Sequence, residues 1–530
     1  MANLLGGFAS VLTPENLLFA VIGVTVGTFV GILPGIGPAL TIALLFPVAN
    51  SLVDSNGQSG VVGSLIMFAG IYSGAMYGGS TTSILLNTPG ESNSVVTAIE
   101  GHQMALRGRA RAALASAAIG SFVAGTLSTL ALTFFAEPLA ALAINFRHSD
   151  FFALGVLATV SVTALVGRSL LRGMMSLTLG LLIGVIGIDT LTGKPRLSLQ
   201  EFVWADANHT GVSTFMQAGI GATLVIVGLF AFGETLYVCG RLKKLPDKIA
   251  PMDAKDGEPE FAWMTKKDWR RSWLPWLRGT ALGFPFGAMP AGGAEIPTFL
   301  SYTLEKARSK FRGQFGTGAI EGVAGPEAAN NAAFAGVLVP LLTLGIPTSA
   351  TAAIILASFK SFDVPVGIQL FDHGGAVVWA LIASLYVGNI ILLILNLPLI
   401  RIWVLVLRIP RPALYSAILV FAVVGVYANA NLAFPLFLAI GIGVLAVFMR
   451  MYDFPISPVI LGVIIGPLLE ENFRKTMQET NNSYAIFVDR PLTVSLLALA
   501  VVSLILPNLP KIIAFLRGRR ADKLSFADED

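Results

Sequence analysis

Apolar runs follow one another along almost the whole chain and break mainly at glycine and proline rather than at charged loops. They fall at 17–34, 36–50, 61–78, 80–88, 112–136, 150–167, 173–188 and 217–239. After a polar stretch they resume at 273–289, 293–304, 327–345, 348–359, 376–400, 413–428, 432–449, 456–469 and 491–516. A helix needs roughly 20 apolar residues to cross a bilayer. Charged residues make up 12% of the 530, against about 25% in soluble chains, and the mean hydropathy is +0.76. Too few charges remain to cover a water-soluble body of this size. A soluble enzyme, a disordered chain and a nucleic-acid binder are therefore excluded. An all-α polytopic membrane protein is predicted, with roughly 10–12 spans. Several runs are too short to cross as straight helices and flank Gly/Pro clusters, which predicts broken helices or re-entrant hairpins.

The stretch 241–272 divides the chain. Counted on to Arg278 it carries ten Lys/Arg and six Asp/Glu, which places it in the cytoplasm by the positive-inside tendency. The expected organisation is a first transmembrane repeat over 1–240, a cytoplasmic linker over 241–272, a second repeat over 273–516 and a cytoplasmic tail over 517–530. Trp263, Trp269, Trp273 and Trp276 read as anchors at headgroup level. The N-terminus lacks a basic region and a small-residue cleavage site, so it does not read as a signal peptide. The first span, from about Leu17, is expected to direct insertion.

The halves share a pattern. Gly27-xxx-Gly31-xx-Pro34-xx-Gly37 is matched by Gly283-xxx-Gly287-xx-Pro290-xx-Gly293, with identical intervals. GGSTTSILL at 78–86 has a looser counterpart in GIPTSATAAIILA at 345–357. Loop charge alternates between the copies. Loop 50–60 has no Lys or Arg, whereas 305–312 carries Lys306, Arg308, Lys310 and Arg312. Loop 101–111 carries Arg107, Arg109 and Arg111, whereas 360–375 has only Lys360. With basic loops inside, this alternation predicts two inverted-topology repeats. The tail, with Lys511, Arg517, Arg519, Arg520 and Lys523, reads as cytoplasmic.

Inverted repeats with interrupted helices point to a secondary transporter whose site lies where the repeats meet. Helix N-termini broken within the membrane expose N–H groups that favour an anion, and free carbonyls favour a cation. Candidate substrate-binding residues are Gly35 and Gly37, before Pro38 at a helix start, and Gly79, Ser80, Thr81, Thr82 and Ser83, with Ser80 read as an N-cap. Asn87, Gly293, Thr348, Ser349 and Thr351 complete the set. Capping or close helix packing is the plain alternative for each residue taken singly. Asn330 and Asn331, amides within an apolar run, are candidate ion ligands. Of the acids in or beside apolar runs (Glu137, Asp189, Glu234, Glu295, Glu321 and Glu327), Glu295 ranks first because it follows the second Gly/Pro break.

Other chemistries lack their residues. There is no P-loop, no Gly-x-Ser-x-Gly elbow and no paired ligand motif among His102, His148, His209 and His373. The single cysteine, Cys239, permits no internal disulfide. No catalytic residue, metal site or organic cofactor is expected beyond a coupling ion. An intramembrane enzyme acting on a lipid-linked substrate and a passive anion channel are the alternative readings.

GILPGIGPALTIALLFP (31–47), YGGSTTSILLNTPGE (77–91) and GAIEGVAGPEAANNAAFAGVLVPLLTLGIPTSATAAIILASF (318–359) resemble the large membrane subunit of the tripartite tricarboxylate transporters. GIDTLTGKPRLSL (187–199) and PVILGVIIGPLLEENFRK (458–475) extend the likeness over nearly the whole chain. The resemblance implies a bacterial inner-membrane permease working with a small membrane subunit and a periplasmic solute-binding protein. It implies uptake of organic carboxylates, such as citrate, driven by an ion gradient, commonly Na+, with H+ as the other choice. The chain departs from the family pattern at Thr348, where the motif is closer to Gly-Ile-Pro-Gly-Ser, and at Glu295, where a small or neutral residue is usual. The expected arrangement holds the anion between Ser80–Ser83 and Thr348–Thr351, with cations on Asn330, Asn331 and Glu295.

Overall fold

The computed structural model describes residues 2–33, 37–87, 92–143, 145–166, 169–188, 194–196, 219–240, 263–289, 294–400, 402–403, 411–430 and 432–505. Gly35, Gly293, Pro34, Pro290, Asp189, His209, most of the linker and the tail lie outside the described residues.

The described chain is helical. The first half holds α1 (Ala2–Val11), α2 (Pro14–Gly31), α3 (Pro38–Asn56), α4 (Gln58–Leu86), α5 (Val95–Leu106), α6 (Ala110–Ala143), α7 (His148–Val166), α8 (Leu170–Gly184), α9 (Ala222–Ile226) and α10 (Gly233–Cys239). The second holds α11 (Lys266–Ala288), α12 (Glu295–Arg308), α13 (Glu321–Leu344), α14 (Ala350–Ser361), α15 (Ile368–His373), α16 (Gly375–Asn396), α17 (Arg411–Ala430), α18 (Phe434–Met451), α19 (Ser457–Glu479), α20 (Ile486–Asp489) and α21 (Pro491–Ile505). A two-residue antiparallel pair, Gly187–Ile188 with Pro195–Arg196, is the one sheet among the described residues. Six described helices are long and apolar enough to cross a membrane, and seven shorter apolar helices accompany them. The protein is thus an all-α, multi-pass membrane protein.

Two of the six, α4 and α13, form the centre: 94% of the apolar window of each is buried, against 44% for α2. Glycine explains how their neighbours come so close. A Cβ added at Gly23, Gly27 or Gly31 of α2 would collide with the backbone of Met67, Ile71 or Ala75 of α4. A Cβ at Gly279, Gly283 or Gly287 of α11 would collide with the backbone of Gly325, Ala329 or Ala333 of α13. Bare glycine faces let helices associate by van der Waals contact where lipid offers no hydrophobic drive. The two pairs are built alike, and they end alike. Asn87 after α4 and Gly345 after α13 both take the left-handed conformation that closes a helix, with φ of 52° and 67°. Each central helix is then followed by a 12-residue helix, α5 or α14.

The chain departs from the sequence expectation at the hydroxyl motif. Gly79–Ser83 does not open a helix, and Ser80 is no N-cap: α4 runs unbroken through it to Leu86. The Thr82 hydroxyl donates to the Gly79 carbonyl, so the helix itself satisfies it, while the Ser80 and Ser83 hydroxyls lie within reach of the Met76 and Gly79 carbonyls but also have partners outside the helix. Of the glycines that looked like a break, Gly78 serves packing, against the backbone of Thr28 and Ile32. The match of 78–86 to 345–357 therefore fails in detail. The first motif precedes its helix end, and the second follows it. Where the Gly-Pro step predicts a helix start, one forms: α3 begins at Pro38 with Gly37 at its N-cap.

Of the tryptophans, Trp269 and Trp273 are exposed, at 46% and 50%, as anchors would be. Trp276 is not an anchor. It is buried, and its indole N–H donates to the Ser116 carbonyl at 3.2 Å. The start of α11 is fixed by a capping box between Thr265 and Asp268, to which Arg109 adds an ion pair of 2.7 Å. Burial by itself would raise the Asp268 carboxyl. The hydrogen bonds from Arg109 and Thr265, with the Arg109 charge, outweigh it and hold the group below the ordinary 3.8.

Candidate functional site

The polar interior gathers where α4, α5 and α13 meet. Ser80 of α4 donates to Oε2 of Glu327 at 2.5 Å, and the Thr97 hydroxyl, in the first turn of α5, donates to Oε1. Glu327 is fully buried. The other buried acids of the described residues are matched differently. Glu321 holds Arg271 at 2.5 Å, Glu305 holds Arg278 at 2.5 Å and Asp150 holds Arg490 at 2.7 Å. Glu100 is ringed by the backbone N–H groups of Gly316, Gly318 and Ala319 and by the Tyr302 hydroxyl. Glu327 has hydroxyl donors alone and no ion pair among the described residues. A carboxylate so placed is costly in a membrane interior unless its charge is removed or matched.

Around it lie polar atoms in two conditions, some tied and some idle. Asn331 donates to the Ser121 hydroxyl at 2.6 Å and to the Glu327 carbonyl at 3.2 Å. Ser83 donates to Ser94 at 2.9 Å, across the turn between α4 and α5. By contrast, the Tyr77 hydroxyl and the amide oxygens of Asn330 and Asn396 are buried with no protein partner among the described residues. Tyr77, Ser80, Thr81, Ser121 and Asn396 line a cavity of about 10 Å³, close to the minimum for one water-sized guest.

A second polar spot lies further back along α4. Ser349 caps α14, accepting from Ala352 N–H at 3.1 Å, and shares a 3.3 Å hydrogen bond with the Tyr72 hydroxyl. Thr348 beside it is buried, and its hydroxyl has no partner among the described residues. Thr351 is buried in the first turn of α14. Tyr72 also packs edge-on against Phe334 of α13, with ring centroids 4.7 Å apart. Since Ser80 meets Glu327 while Tyr72 meets Phe334, α4 and α13 run antiparallel. Each central helix thus offers polar side chains towards the end of the other.

Of the sequence candidates, Ser80 joins Glu327, and Asn330 and Asn331 lie one turn along the same helix. Ser80–Ser83 and Thr348–Thr351 do not bond to one another. They occupy the two separate spots, with Tyr72 and Ser80 two turns apart on α4, about 12 Å at the usual rise. Thr81 lines the small cavity, Thr82 bonds within its helix and Asn87 ends it. Glu295 opens α12, its side chain outside the described residues. Sequence reasoning ranked Glu295 above Glu327 and passed over Tyr72, Tyr77, Thr97, Ser121 and Asn396. A polar residue inside an apolar run is the signal they carry, but helices supply many such hydroxyls that merely bond back to their own backbone.

Fold and site together define a polytopic membrane protein with two glycine-packed helix pairs and a buried polar centre between them, an architecture suited to moving a polar solute. The chain belongs to the tripartite tricarboxylate transporter TctA family, whose model it matches over residues 17–461. It is a component of a transporter that works with partner subunits. It is 41% identical over 532 aligned positions to the uncharacterized 52.8 kDa protein of the TAR-I ttuC′ 3′ region of Agrobacterium vitis, covering 100% of this chain and 99% of that one. It is 42% identical over 230 positions to an uncharacterized protein of the TAR-II ttuC′ 3′ region of the same organism, covering 43% of this chain and 95% of that one. No solved structure matches the chain.

Proposed function

We propose that this chain is the bacterial inner-membrane permease for an organic di- or tricarboxylate, received from a periplasmic solute-binding protein and drawn in by a cation gradient. Family membership supports the class of cargo. The observation that carries the coupling is Glu327, a buried carboxylate held by hydroxyls and faced by no cation among the described residues. A cation or proton bound there removes the cost of the buried charge and adds a positive charge to offset the incoming anion. Na+ is the first choice, because Asn330 offers an idle amide oxygen on the same helix and Ser80 and Thr97 offer hydroxyl oxygens.

The anion is assigned to the second spot. There the N-terminus of α14, Ser349 and the idle Thr348 hydroxyl favour a carboxylate without a fixed positive charge. The antiparallel central helices and the like-built pairs support an inverted relation of the halves. Alternating access follows if one helix pair moves against the other.

The test is uptake of a labelled carboxylate into vesicles holding this chain, its small membrane partner and the binding protein. Imposed sodium or proton gradients should accelerate uptake. Uptake indifferent to collapse of both gradients rejects the coupled mechanism.

A further inference from the structure

Away from the polar centre, a cavity of about 400 Å³ opens where the end of α5, the start of α11 and the loop before α13 converge. Its wall carries Arg107, Arg109, Lys267 and Arg271 against one acid, Asp268. Two of the cations are already matched: Arg109 by Asp268 at 2.7 Å and Arg271 by Glu321 at 2.5 Å. Arg107 and Lys267 have no carboxylate partner among the described residues. Lys267 lies only over the Phe311 ring, 5.7 Å from its centroid. Thr317 and Gln314 add side-chain hydrogen-bonding groups. A cavity this size with two uncompensated cations calls for an anion larger than a simple ion.

Exposed apolar residues next to the lining residues suggest what that anion is attached to. Leu106, next to Arg107, is 47% exposed, Leu274, one turn beyond Arg271, is 41% exposed, and Phe311 is 38% exposed. On the same stretch of α11, Trp269 and Trp273 stand exposed one turn apart, the position indole rings take at the headgroup level of a bilayer. Basic groups beside exposed apolar side chains at that level suit a molecule with a negative head and an apolar body. The cavity also lies among the basic loops expected on the cytoplasmic side, where anionic lipid headgroups are bound by basic pockets between helices. We propose that this cavity binds the phosphate headgroup of an anionic membrane lipid. Arg107 and Lys267 hold its charge, and the nearby exposed side chains of Leu106, Leu274 and Phe311 meet its chains.

The experiment measures binding of phosphatidylglycerol, phosphatidylcholine and inorganic phosphate to the full-length chain in detergent, by native mass spectrometry and by thermal shift. Phosphatidylglycerol should bind and stabilise, and phosphatidylcholine should not. The double variant R107Q/K267Q should bind phosphatidylglycerol about 30-fold more weakly, from two lost charges near the surface. Neither side chain bonds a carboxylate among the described residues, and R107K/K267R, which keeps the charges, should retain most of the affinity and controls for folding. Equal binding of the two lipids overturns the proposal, as does unchanged affinity in the double variant. Inorganic phosphate reproducing the whole effect assigns the cavity to a soluble anion and also overturns it. So does phosphatidylglycerol binding that emerges only after the linker acids Asp247, Asp253, Asp256, Glu258 and Glu260 are neutralised, since the linker would then be the natural occupant.

Discussion

Glu327 accepts two hydroxyl hydrogen bonds, while Glu321, Glu305 and Asp150 each hold an arginine. Glu327→Gln keeps the size and an acceptor for Ser80 or Thr97 but removes the charge. Folded yield should stay near that of the parent, and the dependence of uptake on the cation gradient should fall at least about tenfold, as measured in the vesicle assay. Retained gradient dependence would move the coupling site elsewhere. The neighbouring asparagines should separate. Asn331→Ala strands the Ser121 hydroxyl and should cost about 1–3 kcal/mol in thermal or denaturant unfolding. Asn330→Ala removes an oxygen that has no protein partner among the described residues, so it should cost less stability than Asn331→Ala and weaken the apparent affinity for the coupling ion. The apolar setting of both amides is plain in the sequence, but which one is tied depends on Ser121, far away in the chain.

At the scale of elements, the glycine stripes of α2 and α11 are the joints of the fold. Gly27→Leu and Gly283→Leu each drive a side chain into the backbone of the central helix. Each should destabilise the protein by about 1–3 kcal/mol or more and lower its folded yield. Gly37→Ala, with no atom within 4 Å of the added carbon, should stay within about 0.5 kcal/mol of the parent. The constant glycine intervals are legible in the sequence, but there they read as breaks; that they are packing stripes repeating every helical turn is seen only once α2 and α11 lie against their neighbours. The run of α4 through Gly79–Ser83 is not legible, because hydroxyls and glycines both cap helices and build their interiors. The start of α11 makes a pH prediction. The Asp268 carboxyl is held below its ordinary 3.8, so its contribution is complete above that value and is lost as pH falls through the lower folded value. Thermal unfolding followed from about pH 5 down to about pH 2 should show this loss in the parent, and Asp268→Asn should remove that part of the pH dependence.

For the whole molecule, orientation is the open quantity with a direct handle. Cys239 is the single cysteine, is exposed and ends α10 just before the basic linker. A membrane-impermeant maleimide should label it in inside-out vesicles and not in right-side-out ones. Labelling from the outside would reverse the assignment of the linker to the cytoplasm, and with it the face proposed for docking of a binding protein.

Length, apolar runs and scarcity of charge settled by themselves that this is a helical membrane protein, and the repeated glycine spacing, read as a pair of breaks, picked out two stretches whose glycines prove to be close helix contacts. These are local properties, repeated along the chain with the period of a helix, so they survive reading in one dimension. Which buried polar groups find partners was decided only in three dimensions. Ser80 and Glu327 are 247 residues apart, and Tyr72 and Ser349 are 277 apart. In an interior without water, a polar atom is either satisfied by such a distant partner or left for a guest. That distinction singles out Asn330 and Thr348, while Glu327 has its hydroxyl partners and lacks only a matching charge among the described residues.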